Sequence, residues 1–73
     1  MADMKTRGQI IKAARLAAGL TQPGLADLVG VGASTISMLE RGERAGSTGL
    51  LVRIAIALDL TIGSVVAAPI EVT

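Results

Sequence analysis

The 73-residue sequence contains no cysteine, no histidine and no aromatic residue. Without cysteine, no disulfide or thiolate metal site stabilises the fold. Without histidine, acid–base catalysis would depend on the carboxylates. The six Asp and Glu stand singly along the chain, and no paired arrangement for such catalysis is visible. We therefore expect no catalytic residue, no metal site, no cofactor and no small-molecule substrate. The core must be aliphatic, and because a chain of this length buries only about 60% of its unfolded surface, we expect one small domain.

Strong net charge and long apolar runs are also missing. Seven Lys and Arg face six Asp and Glu, and a net charge of +1 does not by itself indicate nucleic acid. The longest apolar run, residues 50–60, contains Arg53 and Asp59 and is shorter than the roughly 20 residues that span a membrane. The N-terminus lacks the continuous apolar segment of a secretory signal. These absences predict a soluble cytoplasmic protein without a membrane partner.

Capping and stop residues divide the chain into short helices. Thr6 and Gln9 have the spacing of a capping box, and Thr21 has the position of a cap before a second helix. Gly30 and Gly42 end the second and third helices. The predicted helices span about 6–18, 21–29, 33–41 and 47–58.

Helical spacing also predicts burial. The second helix is expected to bury a stripe of Leu25, Leu28 and Val29. The fourth helix is apolar on nearly every side, and a helix that is apolar all round is buried all round. A chain of this size has too little protein to cover such a helix, so burial against a second chain is expected.

The segment 61–66 is either a short fifth helix capped by Thr61 or a strand, because periodicity cannot decide over so few residues. The whole pattern predicts an all-α bundle of four to five short helices. We divide the chain into an N-terminal arm at residues 1–5, a domain at 6–67 and a C-terminal tail at 68–73.

The most informative segment is residues 20–42. It predicts two short helices joined by a tight turn at Gly30, and the second helix has small polar residues on its early turns. This helix closes on the sequence Glu40-Arg41-Gly42. The pattern is the outline of a helix-turn-helix that reads double-stranded DNA.

The joint spacing of caps, helix breakers and core positions resembles the phage repressor and Cro type of helix-turn-helix, also called the XRE type. The resemblance covers roughly residues 8–66 and implies a lambda-repressor-like fold in which helices 2 and 3 form the helix-turn-helix. The matching positions are Arg15, Gly19-Leu20-Thr21-Gln22, Leu25-Ala26, Gly30-Val31, Thr35-Ile36-Ser37, Leu39-Glu40-Arg41-Gly42, Ala55 and Leu58.

The resemblance implies roles for individual residues. Arg15 and Glu40 are expected to form a partly buried salt bridge that positions the recognition helix and reads no DNA. Gln22, in the first turn of helix 2, is expected to bond a phosphate; the alternative is a plain exposed residue. Arg41 and Arg44 are expected to anchor phosphates, with Glu43 beside Arg44 weakening the positive field there.

The expected reading face of helix 3 carries Ala33, Ser34, Thr35, Ser37 and Met38. None of these is the Arg, Lys, Gln or Asn that bonds a guanine or adenine in bidentate fashion. Ala33 and Met38 can contact a thymine methyl, although Met38 can equally fill a surface gap. We therefore expect a modest direct code, with DNA shape and the N-terminal arm adding specificity. Lys5, Arg7 and Lys12 either contact DNA or belong to a solvated surface.

Departures from the family pattern concern caps and the outer face of helix 4. Gly32 and Gly24 stand where capping residues are usual, and Leu50 and Ile56 stand where polar residues are usual. The extra apolar surface predicts a homodimer. The expected dimer interface consists of Leu50, Ile56, Ile62, Val65 and Val66, and the C-terminal tail is a further candidate for this interface.

These expectations favour a nucleoid-associated homodimeric repressor, binding a pseudo-palindromic operator with helix 3 in the major groove and half-sites roughly 34 Å apart. The alternative is the antitoxin of a toxin–antitoxin pair, which binds both DNA and a toxin partner. An enzyme is disfavoured, since Gly30-Val31-Gly32 follows a helix and is no dinucleotide-binding fingerprint.

Overall fold

The computed structural model describes residues 5–70, and the part of the chain that it describes is entirely helical apart from turns and loops. The segment left open between helix and strand is a helix. No helix in residues 5–70 is long and apolar enough to cross a membrane. The helices are α1 (Arg7–Ala17), α2 (Gln22–Val29), α3 (Ala33–Glu40), α4 (Thr48–Ala57) and α5 (Ile62–Val66).

The predicted helix starts are confirmed, because they depend on neighbouring residues alone. Thr6 and Gln9 form a reciprocal capping box, with bonds of 2.8 and 3.2 Å. The hydroxyl groups of Thr21 and Ser47 accept from backbone N–H groups three residues on, at 3.0 and 3.2 Å. At the start of α3, Gly32 supplies no side-chain cap. Thr61 precedes α5 as expected, but the predicted cap is absent, since its side chain accepts no capping hydrogen bond.

One aliphatic core joins all five helices. Leu28, which we expected in the buried stripe of α2, is instead 62% exposed. Helical spacing alone does not separate it from its neighbours. Leu28 lies beside Arg53 and Ile56 of α4 in an open groove, which leaves it accessible. The buried apolar residues are Ile11, Leu25, Ala26, Val29, Ile36, Leu39, Leu50, Leu51, Ile54, Ala55, Leu58 and Val65.

The chain itself covers most of the large apolar residues of α4. Leu50 and Val65, which we assigned to a dimer interface, are 6% and 0% exposed, so they are not available to a second chain. The reason is that α5 folds back and packs against both α1 and α4. The prediction that α4 is buried on every side is therefore wrong. Among the large apolar residues of that helix, Ile56 is widely exposed, at 72%.

Arg7 is a structural residue and not a surface cation. Its guanidinium donates to the carbonyl oxygens of Ala45, Val65 and Val66 at 2.6, 2.9 and 2.7 Å, and the residue is only 8% exposed. Charge-assisted bonds to the last carbonyls of α5 also complement the helix dipole. The expectation that Arg7 either contacts DNA or lies on a solvated surface is therefore wrong, because these bonds hold it under α5.

A buried ion pair joins α1 to the end of α3. Arg15 donates to both carboxylate oxygens of Glu40, at 2.7 and 3.1 Å, and to the carbonyl oxygen of Leu20 at 2.9 Å. The two charged side chains are 8% and 3% exposed. The predicted Arg15–Glu40 pair is thus present, with a planar two-point geometry that fixes the distance and the rotation of α3 relative to α1.

The same carboxylate also accepts from Gln22 Nε2 at 3.0 Å. Burial on its own raises the pKa of Glu40, but hydrogen bonds from Arg15 and Gln22, together with the charges of Arg15 and Lys12, outweigh it and lower the pKa below its usual 4.5. The Glu40 carboxylate therefore remains charged inside the fold.

Gly8 allows α1 to approach the end of α3 closely. A methyl group at this position would overlap the carbonyl oxygens of Leu39 and Glu40, which belong to the backbone and cannot move aside cheaply. The glycine lies inside a helix, where it costs about 0.5–1 kcal/mol relative to alanine. The close contact that the glycine permits offsets this cost, because it brings Arg15 within hydrogen-bond distance of Glu40.

We predict that Gly8→Ala lowers the free energy of unfolding by about 1–3 kcal/mol, in spite of the better helix propensity of alanine, because the two helices must separate. Gly49→Ala is the matched control: Gly49 also lies in a helix, but nothing lies within 4 Å of an added methyl group. We expect it to gain about 0.5–1 kcal/mol in urea unfolding. Equal gains from both substitutions would contradict the close-contact interpretation.

We predict an acid-dependent loss of stability centred on Glu40. Because the pKa of Glu40 is lower in the folded state, its contribution is complete above the unfolded pKa and is lost as the pH falls through the folded pKa. Glu40→Gln should cost about 3 kcal/mol at neutral pH, since Arg15 stays buried without a counter-charge. In thermal unfolding from pH 7 to pH 3, this variant should lose less stability than the wild type and than Asp27→Asn, which alters an exposed carboxylate. Parallel curves for all three proteins would refute the assignment.

Candidate nucleic-acid interface

The turn between α2 and α3 sets the direction of the second helix. Gly30 has a φ of 75°, a left-handed conformation that residues with a side chain rarely adopt, and the N–H of Val31 donates back to Ala26 at 3.0 Å. The chain reverses in this turn, and α3 starts at Ala33. Ile36 and Leu39 then insert into the core, at 0% and 1% exposure. These contacts fix which face of α3 points outward.

The outward face carries the small residues that the sequence predicts. Ser34 is exposed, and the other four are partly exposed: Ala33, Thr35, Ser37 and Met38. Ala33 also packs against the core, so the accessible side of α3 consists mainly of Ser34, Thr35, Ser37 and Met38. A side with short side chains allows a close approach, but on its own it offers only hydroxyl groups and methyl groups for base recognition.

Gln22 lies in the first turn of α2, as expected, and it is held in place. Its side-chain N–H group donates to Glu40 at 3.0 Å, so the residue is tied to the same carboxylate as Arg15. An amide nitrogen carries two N–H donors, and one bond leaves the other for a ligand. At this helix end Pro23 has no N–H and the N–H of Gly24 is bonded to Thr21, so the backbone N–H of Gln22 is the donor that the first turn offers to an anion such as a phosphate.

Arg41 forms a second ion pair, at the end of the candidate reading face. Its guanidinium donates to both oxygens of Glu43, at 2.7 and 3.3 Å, and to the hydroxyl oxygen of Ser37. The hydrogen bonds and charge of Arg41 lower the pKa of Glu43, and both side chains are more than half exposed. We expected Glu43 to act on Arg44; the structure pairs it with Arg41 instead.

The accessible cations surround the outward face only in part. Lys5, Lys12, Arg44 and Arg53 are exposed, whereas Arg7 and Arg15 are used inside the fold. Arg44 follows Glu43 in the loop after α3, and within residues 5–70 it has no ion-pair partner. Residues 1–4 of the predicted arm lie outside the described part of the chain, so only Lys5 of that arm is placed.

An open groove lies on the α2–α4 side of the molecule. It has a volume of about 370 Å³ and is lined by Leu28, Arg53, Ile56 and Ala57. Apart from the Arg53 guanidinium it is apolar. In the described part of the chain, no three acidic side chains come together as a candidate metal site.

Solved structures with the same fold are DNA-binding regulators. The phage P22 c2 repressor, solved in complex with a synthetic operator, is 28% identical with a TM-score of 0.81, over 84% of this chain and 92% of that chain. The N-terminal DNA-binding domain of SinR from Bacillus subtilis is 30% identical with a TM-score of 0.75, over 81% and 87%. The restriction-modification controller protein C.AhdI from Aeromonas hydrophila is 35% identical with a TM-score of 0.77, over 89% and 98%.

A search of curated proteins by sequence gave no match. A family model described as helix-turn-helix matches residues 11–65, which include α2, α3 and the buried ion pair. That match and the solved structures agree with the geometry of the α2–α3 unit, and they identify a regulator and not an enzyme. The chain belongs to the phage repressor and Cro type of helix-turn-helix family, whose members are DNA-binding transcriptional regulators.

Proposed function

We propose that the protein is a homodimeric repressor that places α3 in the major groove of a pseudo-palindromic operator. The observation that carries this proposal is the α2–α3 unit itself. The buried Arg15–Glu40 pair fixes its orientation, and its outward side carries mostly small residues, with Met38 as the one long side chain of α3 among them. A repressor of this size acts by occupying the operator, so that polymerase cannot bind there.

Phosphate contacts would come from groups on both sides of α3. On one side lie the side chain and the backbone N–H of Gln22 in the first turn of α2; on the other lies Arg44 in the loop that follows α3. Such contacts position the protein on the duplex without reading the sequence. They also release counterions, so the affinity falls as salt is added.

The dimer would form through exposed apolar side chains of α4 and α5. Ile56 is 72% exposed, Ile62 47% and Val66 36%, and these three are the part of the predicted interface that the chain leaves open. A two-fold axis through this surface would present two copies of α3 to successive turns of the major groove, roughly 34 Å apart. Symmetric pairing of one patch with itself is the usual arrangement of a dimer.

A DNA-binding antitoxin is the second candidate. The observation that favours it is the apolar groove bordered by Leu28 and Ile56, which a partner protein can fill and which shares Ile56 with the proposed dimer surface. The two candidates differ in the occupant of that surface. Co-purification of a single stable partner from the native host, with loss of the homodimer, would favour the antitoxin.

We predict that selection from a random duplex pool yields a two-fold symmetric site with half-sites centred about one helical turn apart. Binding to the selected site should weaken steeply between 50 and 200 mM salt. A dimer that neutralises about six phosphates should lose roughly 10³-fold in affinity over this range. Fluorescence anisotropy with the selected duplex and a scrambled duplex measures both effects. Absence of binding to every duplex at 50 mM salt would refute the proposed function.

We predict that Ile56→Glu abolishes the dimer, because a carboxylate would have to be desolvated in the interface, a cost that pairing with the nearby Arg53 offsets only in part. Leu16→Glu is the matched control, since Leu16 is 58% exposed on α1, outside the predicted interface. Sedimentation equilibrium should give a monomer for Ile56→Glu and a dimer for Leu16→Glu, with similar circular dichroism for both. A dimer in both variants would place the interface elsewhere.

A further inference from the structure

The outward face of α3 carries small residues and Met38, and one long cation lies at its end. Arg41 is the C-cap residue of α3, and its guanidinium turns back along the helix to bond the hydroxyl oxygen of Ser37, four residues earlier. The charged group therefore lies beside the small residues that are available to a DNA groove. Sequence position alone does not place it there, because an arginine after a helix can equally extend away from the helix.

The turn after α3 fixes the partner of this guanidinium. Gly42 has a φ of 77°, its N–H donates to Leu39 at 3.2 Å, and the N–H of Glu43 donates to Met38 at 2.9 Å. These two bonds form a Schellman motif, which closes the helix and determines where the next residue lies. Glu43 is thereby returned to the edge of α3, where its carboxylate bonds Arg41 at two points.

Counting hydrogen-bond donors shows what this arrangement leaves available. A guanidinium has five N–H donors. Nε and Nη2 each use one on Glu43, and Nη1 uses one on Ser37. One donor therefore remains on each of the two Nη atoms. A pair of guanidinium donors is what bonds O6 and N7 of a guanine in the major groove.

A phosphate contact explains the arrangement less well. A phosphate requires positive charge, and the carboxylate of Glu43 cancels that charge and repels a phosphate at short range. Base recognition instead requires a fixed direction, which the two-point bond to Glu43 and the bond to Ser37 provide. Arg44, which has no ion-pair partner in the described residues, is better suited as a phosphate anchor.

We infer that Arg41 is the specificity-determining residue of α3 and reads a guanine in each half-site, with Glu43 and Ser37 as the residues that position it. The inference rests on the proposed function, because it requires that α3 enters the major groove. Residues 33–40 of α3 include no outward side chain that can bond a base at two points, and the inference assigns that role to Arg41, the C-cap residue.

The test compares sites selected from a random duplex pool by the wild type, Arg41→Lys and Arg44→Lys. Both substitutions keep the charge, but a lysine has no planar fork. We expect a guanine in each wild-type half-site, a loss of that preference of about 5- to 100-fold in Arg41→Lys, and an unchanged preference in Arg44→Lys. If Arg41→Lys selects the same bases as the wild type with uniformly weaker binding, Arg41 is a phosphate anchor and the inference is wrong.

Glu43→Gln separates positioning from a general electrostatic effect. Loss of the negative charge should strengthen binding to all duplexes, whereas loss of the two-point bond should reduce the preference for guanine by several-fold. A merely electrostatic role predicts stronger binding with unchanged preference, which would overturn the positioning role of Glu43.

Replacement of the selected guanine by 7-deazaguanine, which lacks the N7 acceptor, tests the contact directly. The replacement should weaken wild-type binding by about 5-fold or more and have no effect on Arg41→Ala. Equal effects on both proteins would refute the contact. If the wild type selects no duplex at all, the proposed function fails; if it selects a site without an Arg41-dependent guanine, only the inference fails.

Discussion

The buried pair between Arg15 and Glu40 is the interaction on which the arrangement of the helices depends. It joins the last turn of α1 to the last residue of α3, and through Gln22 it also reaches the first turn of α2. The helices α1, α2 and α3 therefore meet at the Glu40 carboxylate. Such a pair contributes modestly to net stability, but the loss of either partner leaves a buried charge. Its main effect is thus to define one orientation of α3.

The N-terminal half of α1 supports that pair from the opposite end. Gly8 brings the helix close to the carbonyl groups at the end of α3, and Arg7 holds the end of α5. In a chain with no aromatic residue, the core supplies little area per side chain, so backbone contact and charge-assisted bonds carry more of the specificity of packing. The same bonds connect α5, the proposed dimer helix, with the elements that orient α3.

Local features of this fold follow from the sequence, and non-local ones do not. The capping box at Thr6 and the turn at Gly30 involve residues within a few positions of each other, so spacing predicts them correctly. The ion pair is not local, and only the resemblance to a known family indicated it. The burial of Arg7 depends on carbonyl groups 58 and 59 residues away, and the exposure of Leu28 depends on how α3 and α4 pack. No pattern within one helix contains that information.

Residues that hold α3 in place alternate along the helix with residues that face outward. Ile36 and Leu39 are almost fully buried, whereas Ser34 is exposed and Ser37 is partly exposed. Substitutions at exposed positions usually change stability by less than about 0.5 kcal/mol. Folding and recognition are therefore nearly independent selection pressures on this helix. A lineage that carries this chain can change the outward side chains of α3 by point mutation without first acquiring compensating changes in the core.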